Sequence, residues 1–142
     1  MKPEQIIREA FSAFNAHNFE KAFGVFSEDL VVTNFVPQPV SLAAFKALNI
    51  AQLAAFPDWH FDIGQVQTEG EITTVLLQAS GTHSGSFDLP GMPSIPPSGR
   101  HVSVPGKFMC TVGVDNMIHR MDFDPPPGGG FEGILQQIGV KV

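Results

Sequence analysis

The sequence has no tyrosine and a single tryptophan, although it carries thirteen phenylalanines. Its aromatic interior therefore holds almost no hydroxyl or N–H groups. A phenol is excluded as acid or base, and proton transfer falls to Asp, Glu or His. The one cysteine, Cys110, cannot close an internal disulfide, and inside its apolar run it reads as a small core hydrophobe rather than a nucleophile. Lys and Arg never cluster. Eight basic against fourteen acidic side chains leave a formal charge of −6, a poor match for nucleic acid or an anionic membrane. No run of about eighteen apolar residues exists, and the opening MKPEQIIREAFSAF is polar where a signal peptide needs an apolar stretch, so a soluble, cytoplasmic protein is expected. His17, His60, His101 and His119 have no Cys or His partner at ligand spacing. Gly128, Gly129 and Gly130 lack the strand and the basic residue of a phosphate loop. Neither a metal nor an organic cofactor is expected.

What is present fits one domain over residues 1–142. Pro3 can open a first helix in which Ile6, Ile7, Ala10, Phe11 and Phe14 recur at helical spacing. Asn18 can cap a short second helix with Phe19, Ala22, Phe23 and Phe26 on its apolar face, and Leu30 to Val36 reads as a strand. Ser41 can cap a third helix that stops at Phe56, before Pro57. From Trp59 the pattern changes to strands, Trp59 to Glu69 and Ile72 to Thr82, joined tightly at Gly70. The stretch His83 to Gly99 is too rich in proline, glycine and serine for a strand interior, so an ordered excursion is expected there. Strands resume over Val102 to Val114 and Met117 to Asp124, and Phe131 to Ile138 can form a closing helix. Helices followed by long, mostly antiparallel strands give an α+β architecture with helices covering one face of a twisted sheet.

Three groups of polar residues bear on function. On the third helix Leu42, Phe45, Leu53 and Phe56 define an apolar face, with Asn49 near its centre and Gln52 close by. An amide left unbonded in a dry core costs about 1–3 kcal/mol. Either these amides bond neighbouring backbone, or the face borders a ligand pocket. Asp122 and Asp124 share a strand face with Arg120, opposite Met117, His119, Met121 and Phe123. On a flat sheet they are solvated charges; on a sheet curled around a pocket they become two carboxylates inside it, one with a raised pKa. His83, at a strand end, reads either as a loop anchor or as a proton shuttle at a pocket mouth. Met92, with Ile95 among prolines, belongs to a loop that suits a stiff lid or a dimer contact.

The segments Phe56-Pro57-Asp58, Gly81-Thr82-His83-Ser84-Gly85, Pro96-Pro97-Ser98-Gly99-Arg100 and Leu135-Gln136-Gln137-Ile138-Gly139-Val140 occur in this order. Together they resemble the SnoaL-like polyketide cyclase or ester cyclase family of the NTF2-like superfamily. The resemblance implies a cone-shaped, curved antiparallel sheet wrapped around three helices with an internal pocket. It also implies cofactor-free ring closure by an intramolecular aldol condensation, with a late-sheet aspartate as acid/base. Asp124 is the nearest match for that role, followed by Asp122 and His83. Where many members carry a tryptophan shortly before the aspartate, this chain has Arg120 and Met121.

The leading expectation is a cofactor-free cyclase, isomerase or hydrolase acting on a hydrophobic, carbonyl-bearing small molecule, with Phe45, Asn49, Gln52, Phe56 and Met92 binding it. The alternative is a noncatalytic pocket protein for a small apolar ligand. A homodimer through the outer face of the sheet is expected in either case, because Ile72 to Ala79 and Phe108 to Val114 would otherwise expose an apolar patch.

Overall fold

The computed structural model describes residues 2–140. Helix α1 (Pro3–Asn15) begins with proline in its first turn and buries Ile6, Ile7, Ala10, Ala13 and Phe14 along one stripe. Asn18 caps α2 (Phe19–Phe23) by accepting from the Lys21 N–H at 3.3 Å. This helix is shorter than its apolar spacing suggests. Gly24 ends it, and Phe26, expected on its face, opens β1 (Phe26–Thr33). Ser41 caps α3 (Leu42–Ala55) through the Ala44 N–H at 3.3 Å, and the helix stops just ahead of Pro57 because the residue before a proline avoids the helical region.

The remaining strands are β2 (His60–Glu69), β3 (Ile72–Thr82), β4 (His101–Val112) and β5 (Ile118–Phe123), followed by α4 (Gly130–Gln137). Gly70 and Asn116 take positive φ, 63° and 62°, in the two tight turns that return β2 to β3 and β4 to β5. The sheet order is β1-β5-β4-β3-β2. All neighbours are antiparallel except β1 and β5, which run parallel at one edge. Irregularities between Phe26 and Val31, Ile63 and Val66, and Thr111 and Val112 interrupt the ladders, and such bulges bend a sheet towards one face.

Register decides which side chains meet the helices. Thr73, Cys110, Met121 and Val32 stand opposite one another across four strands and are all buried. One residue away, Ile72, Thr111, Arg120 and Val31 form the parallel row on the outer face, where Ile72 and Val31 are exposed. At the β4/β5 bulge Ile118 pairs with Val112 and Arg120 with Thr111, leaving His119 without an opposite residue. The strict alternation that puts His119 beside Met121 therefore fails: Ile118 takes the inner place, and His119 turns out to Asp29 and Asp115 at 2.8 and 2.9 Å. The excursion after β3 is ordered, as its composition predicts, and Phe87 and Ile95 exchange backbone hydrogen bonds across it.

Candidate ligand-binding site

Helices α1, α3 and α4 and the inner face of the sheet enclose a cavity of about 610 Å³, a size usual for small-molecule sites. Ten of the thirteen phenylalanines line it. Its rim is marked by exposed Asn34, Pro37 and Glu132, in the β1–α3 connection and the first turn of α4. At that rim Phe35 packs against Phe123 and Phe131 with ring centroids 4.9 and 4.8 Å apart. Asn49, Gln52 and Trp59, all buried, belong to its lining.

Helical geometry puts Asn49 and Gln52, three residues apart, on the buried face of α3 with Phe45. The Asn49 amide donates from Nδ2 to the Phe45 carbonyl at 2.8 Å, so both readings of this residue hold: it bonds backbone and it borders the cavity. Gln52, only 7 % exposed, has no side-chain hydrogen bond among the described residues, yet its amide atoms are not sealed, and the space they face is the cavity. Trp59 follows the end of α3. Its Nε1 has no acceptor among the described residues and is sealed, so it presents no surface to the cavity. Phe45 lines the cavity as well, packed edge-on to Phe35 at 5.1 Å.

Other residues singled out in the sequence lie elsewhere. Phe56 is fully buried beneath β3, where His83 stacks on it at 5.2 Å and Phe87 meets it edge-on at 5.6 Å. His83 is likewise fully buried. Its Nδ1 accepts from the Ser98 N–H at 3.1 Å and lies 2.8 Å from Ser98 Oγ, while its backbone bonds Gly99 and Arg100. It anchors both ends of the excursion. Burial lowers the pKa of this imidazole, against a smaller opposite effect of the Gly85 backbone, so the ring is held neutral. Met92 is exposed at the tip of the excursion and does not reach the cavity lining.

Asp122 stands on the outer face, opposite Met109 and Thr33. Partial burial tends to raise its pKa, but the Thr33 hydroxyl, which donates to it, and the Arg120 Nε, 3.0 Å from both of its oxygens, hold it below the ordinary carboxylate range. Asp124 is also outside the lining; its side chain is 61 % exposed and pairs with Lys107 at 3.4 Å. The two carboxylates are thus not brought together with Asn49 and Gln52. Among the described residues the ionisable members of the lining are Lys107 and Glu132, and no cluster of His, Cys, Asp and Glu is placed to hold a metal ion. Cys110 is buried and its thiol is pushed far up by desolvation, which leaves it inert.

Sequence reasoning missed Trp59 and most of the phenylalanine wall. A signal was available at Trp59: with Phe61 it makes an apolar pair at the two-residue period of a strand, alternating with His60 and Asp62, and both rings belong to the cavity lining.

A family model described as the SnoaL-like domain matches residues 7–121. The chain belongs to the SnoaL-like domain family. The match takes in the helical first third and ends before Asp122 and Asp124. No curated protein matches the chain. Among solved structures, AclR of Streptomyces galilaeus, a candidate hydroxylase, is similar with a TM-score of 0.79 at 20% identity, covering 96% of this chain and 95% of its own. A candidate SnoaL-like polyketide cyclase from Jannaschia sp. CCS1 gives 0.79 at 19%, covering 99% and 93%. IdmH of Streptomyces antibioticus, a candidate polyketide cyclase, gives 0.76 at 21%, covering 99% and 100%. At these identities the likeness is one of fold, and the α+β sheet-and-helix frame of the SnoaL-like proteins is the frame of this chain. The same frame carries differently named activities, so the reaction has to be argued from the site. No helix among the described residues is long and apolar enough to cross a membrane.

Proposed function

We propose that the cavity takes up a hydrophobic, carbonyl-bearing small molecule and that the protein promotes a cofactor-free ring closure or isomerisation of it. The observation that carries this reading is a phenylalanine-walled cavity of about 610 Å³ with the unengaged amide of Gln52 on its wall. Apolar walls contribute affinity roughly in proportion to the area they cover, and a few placed polar groups fix orientation. For an intramolecular condensation, holding the chain of the substrate in a reactive conformation is itself a large part of the rate. A donor on the carbonyl oxygen further stabilises the enolate that aldol closure and isomerisation share. Glu132, at the rim, is the lining carboxylate that this reading assigns as base, ahead of Asp124 and Asp122, whose carboxylates are engaged elsewhere, and of His83, which lies outside the lining.

A second reading, a noncatalytic binder of the same ligand class, is favoured by one observation: the ionisable lining residues among those described are confined to Lys107, paired with Asp124, and the exposed Glu132. The two readings separate when the protein is mixed with an aromatic keto-ester able to close a ring, and binding and cyclisation are followed together. Binding with cyclisation that falls in Glu132→Gln supports the enzyme; binding with no cyclisation above the buffer rate supports the binder. We also assign the exposed outer-face residues Val31, Ile72 and Leu76 to contact between two copies, which light scattering tests against the 15.3 kDa of a monomer.

A further inference from the structure

We infer that Phe35 is the gate of the cavity: its ring bridges the mouth, and the connection that carries it, residues 34–39, swings out between two fixed ends to admit a ligand. This rests on the cavity being a ligand site, as proposed above, and concerns how that site is entered rather than what it takes.

Three observations converge. The exposed members of the lining are Asn34, Pro37 and Glu132, so the mouth lies between the β1–α3 connection and the first turn of α4. Phe35 belongs to that connection, and its ring meets the ring of Phe131 on α4, with centroids 4.8 Å apart, across the opening. It also meets Phe123 at the end of β5 at 4.9 Å and the buried Phe45 of α3 at 5.1 Å. One side chain thus ties the connection to three elements. Phe35, Phe123 and Phe131 are each half-buried, as rings standing between a cavity and solvent must be.

The second observation is how the connection is held. Val32 and Val40 exchange two backbone hydrogen bonds of 2.9 Å and close it at its base. Asn34 is fixed as well: it donates from Nδ2 to the Phe123 carbonyl at 3.0 Å and takes a φ of 60°, which asparagine tolerates better than most residues. Between these points residues 35–39 make no backbone hydrogen bond among the described residues. A segment pinned at its ends and unbonded between them opens at far lower cost than the strands around it. Pro37 and Pro39 fix φ at two of its positions, so it moves as a piece instead of crumpling into the opening.

The third observation is the nature of the latch. Phe35 is held by ring contacts alone, and each such pair slows separation by about two- to tenfold. An apolar molecule replaces those contacts as it passes, whereas water does not. The competing account makes Phe35 a plain wall residue, whose loss would weaken retention without touching entry.

The test uses N-phenyl-1-naphthylamine, an apolar dye that brightens out of water, in stopped-flow fluorescence. A ¹⁵N–¹H spectrum fixes its place: Trp59, the single tryptophan, belongs to the lining, and its one indole cross-peak should shift when the dye is inside. In the wild-type protein the observed rate should level off as dye is raised, at the opening rate of the gate. In Phe35→Ala entry and release should both quicken about tenfold, so that Kd changes far less than either rate. Phe35→Leu should fall between. A wild-type rate that stays linear in dye, or a Phe35→Ala protein in which release alone quickens, overturns the gate and leaves Phe35 as a wall of a working binding site. Dye that does not bind, or that binds without moving the Trp59 peak, overturns the cavity reading and the gate with it. The wild-type series and Phe35→Leu, which keeps an apolar side chain, decide the matter even where Phe35→Ala does not fold.

Discussion

Replacing Gln52 by leucine should make the ligand-free protein more stable. Gln52 lies on the buried face of α3 and has no side-chain hydrogen bond among the described residues. Mutational data put an unbonded buried amide at about 1–3 kcal/mol. Here the amide faces a cavity rather than a packed wall, so water relieves part of that penalty and the lower end, about 1 kcal/mol, applies. Leucine also surrenders less rotamer freedom on burial than glutamine, which acts in the same direction. For a chain of 142 residues, about 1 kcal/mol raises Tm by roughly 3–5 °C. Asn49→Leu is the matched control. It removes the 2.8 Å bond to the Phe45 carbonyl, so the gain from losing a buried amide is cancelled and Tm should stay level or fall. Thermal melts by circular dichroism, with ligand absent, read both. A two-state melt in which Gln52→Leu lowers Tm by about as much as Asn49→Leu would mean that the Gln52 amide is already bonded, and the cavity wall would lose its unengaged amide.

Three further outcomes follow from the geometry. His119 sits between Asp115 and Asp29, which raise its pKa above 6.5; its contribution to stability is present below 6.5 and lost as pH rises through the raised value. Asp115, lowered chiefly by its bond to His119, contributes above 3.8 and loses that contribution as pH falls, so Tm against pH should be dome-shaped, and His119→Asn should flatten its alkaline limb. Gly133→Ala should destabilise by about 3 kcal/mol in urea unfolding, because an added Cβ would overlap the Gly128 carbonyl oxygen and push α4 off the sheet. Asp124→Asn should change stability by less than about 1 kcal/mol, as befits an exposed pair with Lys107. The same change should leave turnover nearly untouched; a fall of about 10²-fold or more would return the acid/base role to Asp124.

The helices and long strands were legible because each obeys one period. Ile72 to Thr82 is rich in Thr, Val and Leu between turn residues and forms β3 over those bounds, and α3 carries both its cap at Ser41 and its stop at Pro57. Errors occurred where two local rules compete. Phe26 satisfies the spacing of a helix face, yet Gly24 ends that helix first and β1 claims the residue. At His119 a bulge, which depends on the opposite strand, shifts the parity of everything before it. In the site, Phe45, Asn49 and Gln52 were found because helical spacing puts them on one face. Phe56 was misplaced because it lies past the last turn of α3, where that spacing no longer holds. Most of the phenylalanine wall was hidden for another reason: its members come from separate elements, and only the folded chain brings their rings together.

The parity of β5 also limits the chemistry. Met121 and Phe123 line the cavity, so the two-residue period sends Asp122 outward, and the Thr33 and Arg120 bonds hold it there. Bringing its carboxylate inside would take a slip of one residue, which would expose Met121 and unpair β5 from β1 and β4 together. That is a change of fold, not a side-chain rearrangement. Asp124 is freer, since it lies beyond the last residue of β5, but it would have to leave Lys107 and pass the rim. Proton exchange with a ligand in this cavity therefore has its shortest route at the rim, through Glu132 or solvent, while the Gln52 amide on the wall could donate to a carbonyl without taking its proton. A reaction that suits this division abstracts its proton from the part of the ligand nearest the mouth, with the oxygen that accepts the developing charge turned towards Gln52.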